Sequence, residues 1–365
     1  MAPSVPVGPS AQGAPTLTSP ESFCRAVLPQ VSRTFALNIP VLPKPLDLGV
    51  TIAYLLCRIA DTLEDETRGP AVSREKLFVE LARLTELPGD WRDRARQFAV
   101  DAKACLRAEA PKSEVELLDG TPIVIEALAG LPNWTHPHIH QCIAEMTEGM
   151  CNVMRMIEKD RHALGLADLD QTLTYCYYVA GTVGEMLTGL FADYSPAIAS
   201  QRDQLMPRAP AFGRALQLTN ILKDIREDLD RGSCWLPRRE MARHQLTAET
   251  LLRPENRREA VVLLDQLIGV ARAEADVALE YVLSLPASEK GVRLFCIWPL
   301  FFAVLTLREL QGNPAVFDSK PVKINRRAVQ EVMEQTRQLA DRDRELRALY
   351  LSFASGLPKG QEARV

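Results

Sequence analysis

Apolar residues recur at i, i+3, i+4 and i+7 along almost the whole chain, and no strict alternation of apolar and polar positions competes with that period. The spacing predicts helices over 23–28, 46–64, 74–87, 91–110, 115–129, 139–160, 169–194, 204–230, 257–285, 291–310 and 326–354. Proline and glycine punctuate them at 40–45, Gly69-Pro70, Pro88-Gly89, Pro111, Pro132, 207–210, Pro286 and Pro314. Long helices joined by short breaks imply an all-α bundle with one core. Its central helices would enclose an apolar cavity, with polar sites built from inward-facing side chains.

Two acidic segments interrupt the apolar pattern: Asp61-Thr62-Leu63-Glu64-Asp65, and Asn220-Ile221-Leu222-Lys223-Asp224-Ile225-Arg226-Glu227-Asp228. On a helix, Asp61 and Asp65 share a face, as do Asn220, Asp224 and Asp228. Like charges at this spacing cost an isolated helix roughly 0.2–0.5 kcal/mol per pair, and no cation stands at the matching position to offset it. One such column is usually a solvated face. Two of them, following apolar runs at 51–59 and 212–222 and each beside a cation (Arg58, Lys223), call for a metal. Hard carboxylate oxygens select Mg²⁺, which keeps coordination positions open for phosphate oxygens. Two facing columns would clamp a diphosphate.

The remaining features narrow the class. A chain of 365 residues with 47% hydrophobic and 25% charged residues is an ordinary globular one. Its net charge of −4 excludes nucleic acid as a partner, since phosphate-backbone binding needs a basic surface. The eight cysteines are scattered without a CxxC pair and read as reduced, buried thiols, consistent with a cytoplasmic setting. His136, His138 and His140 alternate, but Pro137 and Leu131-Pro132-Asn133 mark a loop leading into a helix rather than a zinc site. Residues 1–20, rich in Pro, Ala, Ser and Gly, read as a disordered tail without the layout of a signal peptide. Residues 21–355 form the domain, and 356–365 a flexible tail. The apolar run 294–307 is shorter than the roughly 20 residues that span a bilayer and reads as a buried helix.

Gly181 and Gly184 fall in mid-helix, where each costs about 1 kcal/mol relative to alanine. Either two helices pack closely there, or the helix is thinned so that a bulky apolar ligand can lie against its backbone. No strand precedes Gly181-Thr-Val-Gly184, so it is not a dinucleotide fingerprint.

Ser32-Arg33-Thr34-Phe35, Arg58 with Asp61-Thr-Leu-Glu-Asp65, Tyr175-Cys-x-Tyr178-Val-Ala-Gly181-x-Val-Gly184, and Gln217-x-x-Asn220-Ile-x-x-Asp224-x-x-x-Asp228 together resemble the squalene/phytoene synthase family. The motifs stand in the family's order over residues 30–335. Phe295-Cys296-x-x-Pro299 and Val322-Lys323-Ile324-Asn325-Arg326-Arg327 are more similar to its squalene synthase branch. The resemblance implies an isoprenoid synthase bundle that joins two farnesyl diphosphates head to head into presqualene diphosphate, then reduces it to squalene with NADPH.

It also implies residue roles. Asp61, Glu64, Asp65, Asn220, Asp224 and Asp228 would hold Mg²⁺. Tyr175 would handle the proton, with the released diphosphate as a competing base, and Arg58 would act beside it. Ser32, Arg33, Phe35, Val179, Gly181, Gly184, Leu187, Gln217 and Asn220 would contact substrate. Arg33, Arg58, Lys223, Lys323, Asn325 and Arg326 would contact the cofactor, although Asn325 stands where relatives of that branch tend to carry a second basic residue. The expected enzyme is a cytoplasmic monomer, soluble or touching a membrane at its periphery to release product. A phytoene or dehydrosqualene synthase would share both acidic columns and need no reductant. A terpene cyclase would use one farnesyl chain, and a non-catalytic isoprenoid-binding protein would tolerate loss of the acidic ligands.

Overall fold

The computed structural model describes residues 19–65, 71–159 and 164–359. Among the described residues the chain forms nineteen α-helices and no strand, and an isolated parallel bridge joins Leu166 to Pro237. The first part contains α1 (Pro20–Val31), α2 (Arg33–Asn38), α3 (Leu46–Asp65), α4 (Ala71–Leu84), α5 (Trp91–Cys105), α6 (Lys112–Asp119), α7 (Thr121–Ala129) and α8 (His136–Lys159). Then come α9 (Leu169–Cys176), α10 (Thr182–Tyr194), α11 (Pro196–Ala199), α12 (Arg202–Leu205), α13 (Ala209–Lys223), α14 (Ile225–Asp230) and α15 (Arg238–Arg243). The chain finishes with α16 (Arg257–Ser284), α17 (Lys290–Leu310), α18 (Arg326–Leu339) and α19 (Asp343–Phe353).

The starts of several helices follow from side chains that accept otherwise orphaned amides. Ser19 accepts from Ser22, Ser32 from Phe35, Asp168 from Gln171 and Asn325 from Ala328. The helix at Pro20 thus begins inside the stretch assigned to the N-terminal tail. At the other end Leu357 is buried, and Gln311 Nε2 donates to the Gly356 carbonyl, so the described part of the C-terminal tail is docked. The rest of both tails, residues 1–18 and 360–365, lies outside the described residues, as does the predicted break at Gly69-Pro70.

At the centre, α13 packs against α10, α16 and α17. The buried face of α17 includes Ile297, Trp298, Leu300 and Phe301, all at 0% exposure. This helix is long and apolar enough to cross a membrane, yet 78% of its most apolar window is buried inside the protein, as a core helix requires. All eight cysteines are free, and only Cys105 is not buried.

Several boundaries differ from the periodic reading. The helix predicted over 115–129 breaks at Gly120, where a Cβ would sit 2.1 Å from the Phe23 ring, so the close approach of α1 decides the break. Residues 326–354 form two helices, and α2 and α15 are too short for their period to show. Residues 204–230 break at Asp224 (φ −103°, ψ 13°). The amides of Asp224 and Asp228 still bond the carbonyls four residues back, at 2.9 Å each, so the acidic column survives the kink. Between α9 and α10 the chain widens into a π-turn at Tyr177–Gly181, a local insertion of the sort that often accompanies functional sites.

The histidine trio lies in the first turn of α8 rather than in a loop. His136 Nε2 meets the Leu128 carbonyl (3.0 Å), His138 meets Asp193 (2.7 Å) and His140 meets Thr85 (2.9 Å). These contacts tie α8 to its neighbours.

Candidate active site

The C-terminal end of α3 and the α13–α14 junction face one cleft of about 320 Å³. Arg58, Asp61, Glu64 and Asp65 line it from α3, and Gln217, Asn220, Lys223, Asp224 and Asp228 from the other side. Tyr175 and Val179 project from the π-turn region. The sequence pattern did not single out Ile221, Glu227, Arg231 or Trp235, which complete the lining. Ile221 lay in view inside the acidic segment, but only the tertiary arrangement turns it toward the cleft.

The two acidic walls act on each other electrostatically. Desolvation, with repulsion from Asp224 and from Asp65 across the cleft, pushes the Asp228 carboxyl from 3.8 up to about 7. Desolvation likewise takes Asp61 to about 7, against the opposing pull of Arg58, with Asp65 adding to the rise. Glu64 moves from 4.5 to about 8 through desolvation and the charges of Asp65 and Asp61. Desolvation also raises Asp224, countered by Lys223.

Tyr175 joins the walls. Its hydroxyl donates to Glu64 Oε2 at 3.0 Å, and its ring stacks on Trp235 with centroids 4.2 Å apart and planes 3° apart. Burial, followed by the charges of Glu64 and Asp65, raises the phenol well above 10, so it stays protonated at neutral pH. Glu64 Oε1 is buried with no hydrogen-bond partner.

That orphaned oxygen, together with carboxylates pushed toward neutrality by mutual repulsion, is the environment a divalent cation would relieve. Among the described residues no three carboxylate, imidazole or thiol groups form a ready cage. Mg²⁺ does not need one, since it typically takes one or two carboxylates with waters and phosphate oxygens. The residues therefore fit the ion as two half-sites.

The candidate cations are distributed unevenly. Lys223 Nζ lies 3.3 Å from Asn220 Oδ1 and 3.1 Å from Asp224, so it occupies the oxygen expected to be a metal ligand at Asn220. Arg58 is engaged by Glu114 and lies 3.6 Å from Asp61. Lys323 is exposed, outside the lining, yet its charge is felt at Asp224. Arg326 is exposed at the start of α18, and Arg327 pairs with Glu331 at 2.7 Å. Asn325, expected among the cofactor contacts, spends its side-chain oxygen on capping α18.

Other expected contacts fall outside the cleft. Ser32 caps α2, Arg33 is exposed, and the Phe35 ring packs on Tyr54 (5.0 Å) and Phe295 (6.4 Å). Leu187 packs against the core. The missing side chains of the two glycines leave room for neighbouring protein atoms. A Cβ on Gly184 would lie 2.2 Å from the Ala209 carbonyl, and one on Gly181 would lie 2.8 Å from the Tyr177 ring. Gly213 answers from α13, where a Cβ would lie 1.9 Å from the Ala180 carbonyl. The cleft has a mainly charged lining, more polar than the apolar cavity expected from the pattern.

A model of the squalene/phytoene synthase family matches residues 28–328. A squalene synthase of Schizosaccharomyces pombe is 28% identical over 315 residues, covering 85% of this chain and 64% of the relative. One from Solanum lycopersicum is 30% identical over 323 residues, covering 87% and 71%. The chain spans 63%, 64% and 63% of the length of the relatives from Neurospora crassa, Schizosaccharomyces pombe and Gibberella zeae. Among solved structures, TcSQS with the ligand BPH1237 superposes with a TM-score of 0.76 at 23% identity, covering 95% of this chain and 94% of that one. A dehydrosqualene synthase bound to a ligand superposes at 0.56 with 20% identity, covering 87% and 95%.

Proposed function

Because the chain belongs to the squalene/phytoene synthase family, we propose that it condenses two farnesyl diphosphates head to head into presqualene diphosphate and then reduces this to squalene with NADPH. The observation that carries the reading is the cleft in which Asp61, Glu64 and Asp65 face Asp224 and Asp228, with Tyr175 between them. Relatives named squalene synthase support it.

Mg²⁺, when bound, supplies the positive charge that neutralises a diphosphate and draws it off as a leaving group. Asp61 and Asp65 would hold it on one wall, Asp224 and Asp228 on the other. Arg58 and Lys223 add N–H donors for diphosphate oxygens. Ile221, Val179 and Trp235 are the apolar side chains in this mainly charged lining, and the allylic cation would be shielded from water where it lies against them. Condensation releases a proton from the substrate. Tyr175 Oη takes it only by passing its own proton to Glu64 Oε2, the acceptor it already faces, which must be ionised to receive it, as a cation bound beside it would ensure. NADPH supplies hydride, and Lys323 and Arg326 are the exposed cations suited to its phosphates. The same reading has the protein working as a cytoplasmic monomer that meets a membrane only to release its apolar product.

The test is product analysis with farnesyl diphosphate and Mg²⁺, with and without NADPH. Presqualene diphosphate without the reductant and squalene with it are expected. A dehydrogenated C30 or C40 product formed equally in both arms would replace this reading with a reductant-free synthase. A C15 product would replace it with a cyclase.

A further inference from the structure

Glu114 is a buried carboxylate that the two acidic walls do not explain. It lies on α6, is 5% exposed, and receives both Nε (3.1 Å) and Nη2 of Arg58 on Oε1. Its other oxygen faces the Thr62 hydroxyl, which is also 2.8 Å from the Arg58 carbonyl. Glu114 thus grips α3 at a side chain and at the turn that follows it. The remaining nitrogen of Arg58, Nη1, stops 3.6 Å from Asp61 Oδ2, outside hydrogen-bond length.

Two carboxylates therefore compete for one guanidinium, and their surroundings decide between them. Both carboxylates attract Arg58, but the Glu114 side chain is 6% exposed and that of Asp61 37%, so water can solvate Asp61 and Glu114 depends on the guanidinium. Two nitrogens of the guanidinium reach Glu114, where a single nitrogen faces Asp61. Without Glu114, Arg58 would be left as a half-buried cation without its shortest ion pair, and the nearest carboxylate would draw it in. That carboxylate is Asp61.

We propose that Glu114 is a positioning residue for the metal-binding wall: by taking the two short hydrogen bonds of Arg58, it keeps Arg58 at a long ion-pair distance from Asp61 and leaves the Asp61 oxygens open to a divalent cation. The proposal rests on the metal reading of the cleft given above. Glu114 itself does not line the cleft.

Mn²⁺, titrated into the full chain without substrate and followed by the spin resonance of the free ion, probes the site independently of turnover. Glu114→Gln should weaken Mn²⁺ binding on the order of tenfold, the scale of one charge-assisted contact. Adding Arg58→Gln to it should restore wild-type affinity, because the competing cation is gone. Glu114→Asp keeps the buried charge, and with it the fold, while shortening the reach. It should weaken binding by a smaller factor that Arg58→Gln again restores. Circular dichroism confirms that each protein compared is folded. Unchanged Mn²⁺ affinity in both folded Glu114 variants overturns the proposal, as does a double variant that stays as weak as the single one, which would be a merely structural effect. A wild-type chain that binds no Mn²⁺, or binds it equally well after Asp61→Asn, overturns the metal reading and this proposal with it.

Discussion

The Tyr175 hydroxyl and Glu64 Oε2 meet at 3.0 Å although 111 positions separate them in the chain. Trp235 holds the Tyr175 ring from its other side, so the phenol is fixed in place before any ligand arrives. Tyr175→Phe keeps the ring and the stack and removes only the hydroxyl. It should abolish formation of presqualene diphosphate while farnesyl diphosphate still binds within a few-fold of wild type. Unchanged product formation would pass the proton to the released diphosphate.

Asp61→Asn, Asp65→Asn, Asp224→Asn and Asp228→Asn should each abolish turnover while circular dichroism stays helical. Each removes a charged ligand from a solvent-accessible cleft rather than a piece of core. Wild-type turnover at saturating Mg²⁺ in any two of them would defeat the two-wall arrangement.

The raised carboxyls link stability to pH in the metal-free protein. Asp61 and Asp228 move from 3.8 to about 7, and Glu64 from 4.5 to about 8. Between these limits the unfolded chain has lost protons that the folded chain retains, so folding stability falls as pH rises through the window. A bound cation removes that penalty. Mg²⁺ should therefore raise the melting temperature more at about pH 8 than at about pH 5, relative to a chelator control. A Mg²⁺ effect as large at the lower pH would refute the linkage.

Gly184→Ala should destabilise the ligand-free protein by about 1–3 kcal/mol, the usual cost of overpacking, because the new methyl meets the Ala209 carbonyl at 2.2 Å. Denaturant unfolding measures it. A neutral result would mean that α10 and α13 separate freely, and it would return Gly184 to the ligand.

Lys323→Ala should raise the KM for NADPH roughly ten- to a hundredfold, the effect of one lost phosphate contact. Presqualene diphosphate should accumulate, since condensation uses no reductant. Equal loss of both half-reactions would place Lys323 on the diphosphate instead.

The helices were legible because a 3.6-residue period is a local property. The pattern placed the start of α3 at Leu46 and its end within one residue of Asp65, and the two acidic columns showed their spacing without any partner. The apolar character of α17 likewise announced a buried helix. The mid-chain glycines were visible, but their purpose was not. A missing Cβ reads the same whether a ligand or a neighbouring carbonyl fills the space, and only the fold shows the Ala209 carbonyl beside Gly184.

By itself the sequence determined which segments coil, which faces are apolar and which oxygens stand in columns, since these follow from residue type and spacing alone. Only the tertiary structure decided that Trp235 would brace Tyr175 and that Glu114 would hold Arg58, whereas the Asn325 cap is a local contact that the helix start at 326 already allowed. Each of these pairings depends on side-chain environment or the meeting of helix surfaces. Trp235 and Glu114 carry no mark in the chain of whether they will meet a partner or solvent.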